Sequence, residues 1–330
     1  NHYTLSDYRC VQIKILSQAV ACYNNFMSKK RVVVTGINGF VGHHLARELV
    51  NSDVSIIGVG HEPEIANDLS DIVESYFVQD LVSAWPDTGE VDGVINLAGL
   101  AALGPSFDDP QRYINMNSSI VTNLCEYYLK RDNHPRIVII SSGAIYSPDQ
   151  PLPISEDGEL GLTSPYAVSK VLTENQIIYY RQRGLDCVVA RPFNHIGPGQ
   201  AKGFILPDFY DRIADTNENV ISVGNIETKR DYTDVRDIAR AYTKLVLAPE
   251  LKLPIYNVCS GKSLSGKEIL DILKSTMGRD DITYEVDPKL VRPTDIPEIT
   301  GDSSRLQDEL NWHPEIDVSQ TIADFVNSVS

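Results

Sequence analysis

The chain has 330 residues, 42% hydrophobic and 22% charged, a composition that excludes a disordered or fibrous protein. Its 29 Lys and Arg against 45 Asp and Glu give a net charge of −16, which repels phosphate backbones and excludes a general nucleic-acid binder. No apolar run reaches the ~18 residues of a membrane-spanning helix, and at about 150 residues per domain the length predicts two domains or one large one with appendages.

Residues 1–27 read as a leader or extension ahead of the fold. Val11 to Tyr23 is moderately apolar, Lys14 interrupts it, and no small-residue cleavage site follows, so a signal peptide fits poorly. A helix docking on a partner subunit is the alternative. From Arg31 onward short β-branched runs alternate with helical stretches. Strands are expected at Arg31 to Thr35, Val54 to Val59, Tyr76 to Val78, Gly93 to Ala98, Arg136 to Ile140 and Cys187 to Ala190. Helical spacing covers Phe40 to Val50, about 111–130 and about 165–183. This alternation means βαβ units, so residues 28–190 are expected to form an α/β fold, a Rossmann-type doubly wound parallel sheet. After Arg191 Pro and Gly become denser and the elements shorter. Residues 191–330 are therefore read mainly as a smaller substrate-binding lobe, with pieces such as Pro254 to Val258 returning to the sheet. The five Cys are odd in number, widely spaced and without a CxxC pair, which predicts reduced thiols and a cytoplasmic protein.

The first strand runs into Thr35-Gly36-Ile-Asn-Gly39-Phe-Val-Gly42, a G-x-x-G-x-x-G turn that opens a helix. Gly36 makes the tight turn, Gly39 lets the backbone approach a pyrophosphate, and Gly42 lets helix and strand pack closely. The helix N-terminus then offers unpaired N–H groups and a positive dipole end to the phosphates. The second strand ends Gly58-Val59-Gly60-His61, where an acid would bind the adenosine ribose and select NAD. With Gly60 there, no carboxylate is expected to repel a 2′-phosphate, and His61 stands beside it. The reading favours NADP(H) and leaves NAD(H) open. Asp80, after the third strand, is either an adenine contact or a solvated loop acid.

Tyr166 and Lys170 stand at i and i+4, on one face of the helix expected after the strand ending at Ser141-Ser142. A nearby ammonium favours the phenolate, which predicts a lowered Tyr166 pKa and a usable acid/base. A Ser hydroxyl at the carboxyl end of a parallel strand lies over the ligand crevice and stabilises charge developing on a substrate oxygen. Ser142 is the first choice and Ser141 the alternative. No HExxH or clustered Cys/His site for a metal is visible.

The glycine loop, Asn96-Leu-Ala-Gly99, Ser142 four residues before Tyr146, and Tyr166-x-x-x-Lys170 together resemble the extended short-chain dehydrogenase/reductase family, its nucleotide-sugar branch. Arg191-Pro-Phe-Asn-His-Ile-Gly-Pro-Gly-Gln200, Lys229 to Asp237, Tyr256 to Gly261 and Arg292-Pro-Thr-Asp295 resemble the GDP-4-dehydro-6-deoxy-D-mannose reductases within it. The resemblance covers about residues 30 to 328. It implies that Asn38, Phe40, Val41, Leu81, Leu97, Ala98, Gly99, Ser141, Pro192 and Phe193 also border the cofactor, and that Asn115 props the catalytic Lys through water. Asn194 would touch the sugar diphosphate, Arg230 and Arg292 would neutralise it, and Asp295 would reach a nucleoside ribose. A homodimer through helices 111–130 and 165–183 is implied too. Ile120, Leu124, Val171 and Ile177 either form its seam or face the sheet.

Two departures stand out. The related dehydratases carry an acid just after the active hydroxyl, whereas Gly143 and Ala144 follow Ser142, so 4,6-dehydration is not expected. After the fourth strand Leu100 to Leu103 is apolar, leaving Ser106 as the nearest polar residue for the sugar. The expected activity is reduction of the C4 ketone of a nucleoside-diphosphate 4-keto-6-deoxyhexose, with GDP the favoured nucleotide. A 4-epimerase with tightly held NAD is the rival within the class, and a non-catalytic nucleotide-sugar sensor the rival outside it.

Overall fold

Val32, Val33 and Val34 explain how the sheet divides the molecule. In the computed structural model, which describes residues 29–215, 219–291 and 296–329, they lie fully buried in β1 (Arg31–Thr35). Val32 and Val34 point to one face and Val33 to the other, as the two-residue period of a strand requires. Both faces are thus apolar, the pattern of a parallel sheet covered by helices on each side.

The chain continues through α1 (Phe40–Asn51), β2 (Ser55–Gly60), β3 (Ser75–Val78), β4 (Gly93–Asn96), α2 (Pro110–Leu129), β5 (Arg136–Ile140), α3 (Pro165–Gln182) and β6 (Cys187–Pro192). With β10 (Ile255–Val258) these strands form a seven-stranded sheet in the order β10-β6-β5-β4-β1-β2-β3, parallel throughout. The expected α/β, Rossmann-type doubly wound sheet is the observed fold. α1 and α5 (Val235–Leu247) cover one face, burying Leu45, Leu49, Tyr242 and Leu245. α2 and α3 cover the other with Ile120, Leu124 and Ile177. Those three therefore face the sheet; on α3 the exposed apolar residues are instead Leu172, Ile178 and Tyr179.

Local sequence sets the helix ends. Asp109 and Ser164 cap α2 and α3 by accepting from the Arg112 and Ala167 amides, each with Pro in the first helical position. α1 differs: its N-cap is Gly39 and no side chain caps it. Sheet order reverses between β1 and β4, which places the ligand crevice beyond their carboxyl ends.

Beyond β6 a second layer forms from β7 (Asn194–Ile196), α4 (Ile205–Asp215), β8 (Val220–Val223), β9 (Lys229–Asp234), β11 (Ser263–Ser265), α6 (Gly266–Thr276), β12 (Thr283–Val286) and β13 (Glu298–Ile299). β9 is flanked by β11 and β13 and pairs with β7, while β8 pairs with β12. α7 (Ser304–Leu310) and α8 (Val318–Val329) close the chain, and Leu206, Phe209, Ile269, Leu273, Ile322 and Phe325 fill a separate apolar centre. Among the described residues no helix is long and apolar enough to cross a membrane. The leader expectation for residues 1–27, with Cys10 and Cys22, lies outside the described residues.

Candidate active site

Thr35 ties the two strands that flank the crevice. Its hydroxyl donates to Asn96 Oδ1 at 2.8 Å and accepts from the Ala98 amide at 3.0 Å. Gly36 follows at φ +64°, where a Cβ would press on the Ala98 amide at 3.2 Å. Gly42 packs so tightly on the turn that a Cβ would collide with the Ile37 carbonyl. The loop therefore requires glycine for both of the reasons its sequence suggests: a left-handed turn and close helix approach. The Gly36 turn packs against the main chain of Leu97 and Ala98, next to the α1 N-terminus, which no side chain caps.

The other expected cofactor residues divide into three kinds. Ser141 is buried, and its hydroxyl has no hydrogen-bond partner, an orphan that a bound polar group would satisfy. Phe40 stacks on His195 with ring centroids 6.1 Å apart. Val41 packs toward the core, Leu81 is buried, and Phe193 is wedged where a Cβ on Gly143 would touch its ring at 2.8 Å. Side chains used this way leave only main chain to face a ligand. Asp80 accepts from the Val82 amide at 3.0 Å and the Ser83 hydroxyl at 2.6 Å. The Ser83 bond holds its carboxyl below the usual value. Both bonds close the turn that follows β3.

Three expectations need correction. Asn115 is exposed and bonded to Gln111. The buried Asn of α2 is Asn117, whose side chain accepts from the Leu100 amide at 2.8 Å and donates to the Ser169 hydroxyl at 2.9 Å. One helical turn is 3.6 residues, so a shift of two reverses the face. Ser106 is fully buried and its hydroxyl closes a short turn on the Leu103 carbonyl at 2.6 Å, so it offers nothing to a sugar. Finally, the space over Gly60 does hold a carboxylate: a Cβ there would stand 2.7 Å from Glu62 Oε2. His61 beside it is exposed.

Ser142, Tyr166 and Lys170 converge at the end of β5. Tyr166 is 7% exposed, its ring set edge-on to Tyr113 at 6.5 Å. Lys170 Nζ lies 5.7 Å from the Tyr166 ring centroid and donates to the Ile140 carbonyl at 2.8 Å. Burial brings Lys170 down to about 8. The Tyr166 phenol moves opposite to the sequence expectation. Burial raises its pKa, and a hydrogen bond with Ser142 only partly opposes this. Desolvation outweighs the ammonium because Lys170 directs its charge at a main-chain carbonyl rather than at the phenol.

Beneath this trio lies a network that sequence reading missed. Arg191 grips Glu174 with two bonds, 2.9 and 2.7 Å long, and donates to the Tyr146 hydroxyl at 2.7 Å. The Tyr146 hydroxyl in turn donates to Asn257 Oδ1 at 2.7 Å. Glu174 follows Lys170 by one helical turn, so its negative charge supports the ammonium. The i+4 spacing was visible; the partner across the sheet was not.

In the second layer Asn194 is exposed at the start of β7. Arg230 donates to the Lys229 and Ile296 carbonyls, both at 2.8 Å, and so binds β9 to the segment before β13. Arg292 and Asp295 lie outside the described residues.

The glycine cradle, the open helix end and the orphaned Ser141 hydroxyl fit a nicotinamide dinucleotide. A doubly wound sheet with Ser, Tyr and Lys at the carboxyl end of β5 is the arrangement of an enzyme of the extended short-chain dehydrogenase type. The chain belongs to the NAD dependent epimerase/dehydratase family, whose sequence model matches residues 32–259. It is 32% identical to GDP-6-deoxy-D-mannose reductase of Pseudomonas aeruginosa over 302 residues, covering 89% of this chain and 95% of that one. Among solved structures it resembles RMD from Pseudomonas aeruginosa complexed with NADPH, with TM-score 0.75 and 30% identity over 91% of this chain and 98% of that one. It also resembles the UDP-N-acetylglucosamine 4-epimerase from Methanobrevibacter ruminantium, with TM-score 0.82 and 26% identity over 92% and 99%.

Proposed function

We propose that the enzyme reduces the C4 ketone of a nucleoside-diphosphate 4-keto-6-deoxyhexose, with GDP-4-dehydro-6-deoxy-D-mannose as the substrate. The convergence of Ser142, Tyr166 and Lys170 at the carboxyl end of β5 carries this reading, and the similarity to a GDP-6-deoxy-D-mannose reductase supports the substrate. Gly36, Gly39 and Gly42 with the α1 amides would hold the pyrophosphate, and Ser141 and Lys170 would border the nicotinamide end. When bound, the reduced nicotinamide supplies the hydride. Ser142 donates a hydrogen bond to the C4 oxygen and polarises the ketone. Burial keeps the Tyr166 phenol protonated, ready to give its proton to that oxygen as negative charge builds there. Lys170 keeps a positive charge beside the phenolate that remains. Asn194 and Arg230 are proposed at the sugar diphosphate, with Arg292 and Asp295 toward the nucleoside. Residues 28–190 carry the cofactor and residues 191–330 mainly the substrate, in a homodimer.

Elimination of water is disfavoured by shape as well as by sequence. A side chain at position 143 would strike the Phe193 ring, so no acid fits directly after Ser142. The second reading, a 4-epimerase, draws on the fold match to an epimerase. Incubating the protein with reduced nicotinamide, NADH and NADPH in parallel, and GDP-4-dehydro-6-deoxy-D-mannose decides between them. Stoichiometric loss of absorbance at the nicotinamide band with a reduced sugar product is expected. A rearranged sugar with no net cofactor oxidation would establish the epimerase instead.

A further inference from the structure

β2 ends at Gly60 beside the glycine turn, and the Gly36 amide donates to the Val59 carbonyl at 2.8 Å. Whatever stands over Gly60 therefore faces the dinucleotide cradle. Gly60 supplies no side chain, and two other residues fill its space. A Cβ built there would collide with the Tyr76 hydroxyl and meet Glu62 Oε2. Tyr76 comes from β3, in register with Gly58. Its hydroxyl donates to the Glu62 carbonyl at 3.0 Å and lies 3.4 Å from Oε2. Asn38, inside the glycine loop, holds the same turn from the other side. Its amide nitrogen donates to the Glu64 carbonyl at 2.9 Å and stands 3.5 Å from Glu62 Oε2, while its oxygen accepts from the Ala66 amide at 3.0 Å. The Glu62 carboxylate thus has an anchor on the neighbouring strand and another in the loop that would carry the pyrophosphate.

This part of the chain supplies few cationic side chains. Between Arg47 and Arg112 the sequence contains no Lys or Arg. Arg47 itself is paired with Asp68 at 2.5 Å. Two histidines stand in the same part of the chain: His61, exposed, with Nε2 3.7 Å from Glu62 Oε1, and His43, with Nε2 3.3 Å from Asp68 Oδ1. A phosphate monoester needs guanidinium or ammonium partners, whereas a carboxylate accepts hydrogen bonds from ribose hydroxyls.

We propose that Glu62 is the specificity-determining residue for the adenosine ribose, accepting from its 2′-hydroxyl, and that it gives the enzyme a preference for NAD(H) over NADP(H). Tyr76 and Asn38 are its positioning residues. This rests on the reading that the crevice holds a nicotinamide dinucleotide. It reverses the NADP(H) expectation drawn from Gly60. The strand end lacks an acid, yet the turn beyond it folds back and puts one in the same place.

The test is direct binding of NADH and NADPH, each titrated into the full chain and followed by nicotinamide fluorescence, for wild type, Glu62→Gln and Tyr76→Phe. Wild type is expected to bind NADH about ten- to a hundredfold more tightly, the scale of one partly solvated carboxylate against a phosphate. Glu62→Gln should tighten NADPH about tenfold while weakening NADH only a few-fold. Tyr76→Phe should move the ratio the same way by less. Wild type binding NADPH as tightly as NADH, or Glu62→Gln changing both alike, overturns the assignment. Failure of wild type to bind either nucleotide overturns the nicotinamide reading beneath it, so the two failures are separable.

Discussion

Ser141 at the crevice and Asp231 in the second layer are bonded in opposite ways. Around the crevice the chemical groups are sparsely bonded. Ser141 has no partner for its hydroxyl, and Lys170 is held by one carbonyl. In the second layer one buried acid shows the other extreme, although the Thr233 hydroxyl and Gln200 Oε1 nearby also lack partners. Asp231 is completely buried and accepts from the Ser260 amide and hydroxyl and from the Gly261 and Gly301 amides. A side chain that stitches loops together has its lone pairs committed, whereas one waiting for a ligand keeps some in reserve. The contrast separates residues that make the fold from residues that await chemistry, which sequence motifs alone do not do.

Substitutions on the two sides should break in opposite directions. Tyr166→Phe keeps the ring and removes the proton donor, so turnover should fall about 10²- to 10⁴-fold while nucleotide binding and melting temperature hold. Retained turnover would end the assignment of Tyr166 as the acid. Asp231→Ala should do the reverse. It orphans several buried donors and should cost at least about 3 kcal/mol of stability, read by denaturant unfolding, while activity per folded molecule changes far less. Should the rate fall as far as the stability, the separation of roles is wrong.

The smallest effect concerns pH. Lys170 is held near about 8 by burial, so it is charged below that value and neutral above it, while Tyr166 stays protonated. For the reduction, kcat/KM should fall about tenfold per unit as pH rises past about 8. Glu174→Gln removes a charge that raises Lys170, so this limb should move to lower pH. A limb that stays in place would show that Lys170 is not the group titrating.

Much of the scaffold was legible because it rests on local rules. Val32 to Val34 announced a buried strand, helical spacing announced the segments near 111–130 and 165–183, and Gly36 announced a tight turn. Ser142, Tyr166 and Lys170 were legible as a group because a strand end and the first turn of the next helix must meet at one edge of a parallel sheet. Residues whose meaning depends on a partner far along the chain were misread. The resemblance pointed to Asn115, and nothing in α2 by itself says which face meets the Leu100 loop, where Asn117 is bonded.

The sequence by itself determined the doubly wound sheet, the glycine turn and the meeting of Ser142, Tyr166 and Lys170, since periodicity and turn chemistry act over a few residues. Only the tertiary structure decided that Tyr166 is pushed up rather than down, that Arg191 neutralises Glu174 under the active helix, and that Glu62 stands over Gly60. Desolvation and Coulomb interaction depend on distance in space, and separation along the chain does not report it.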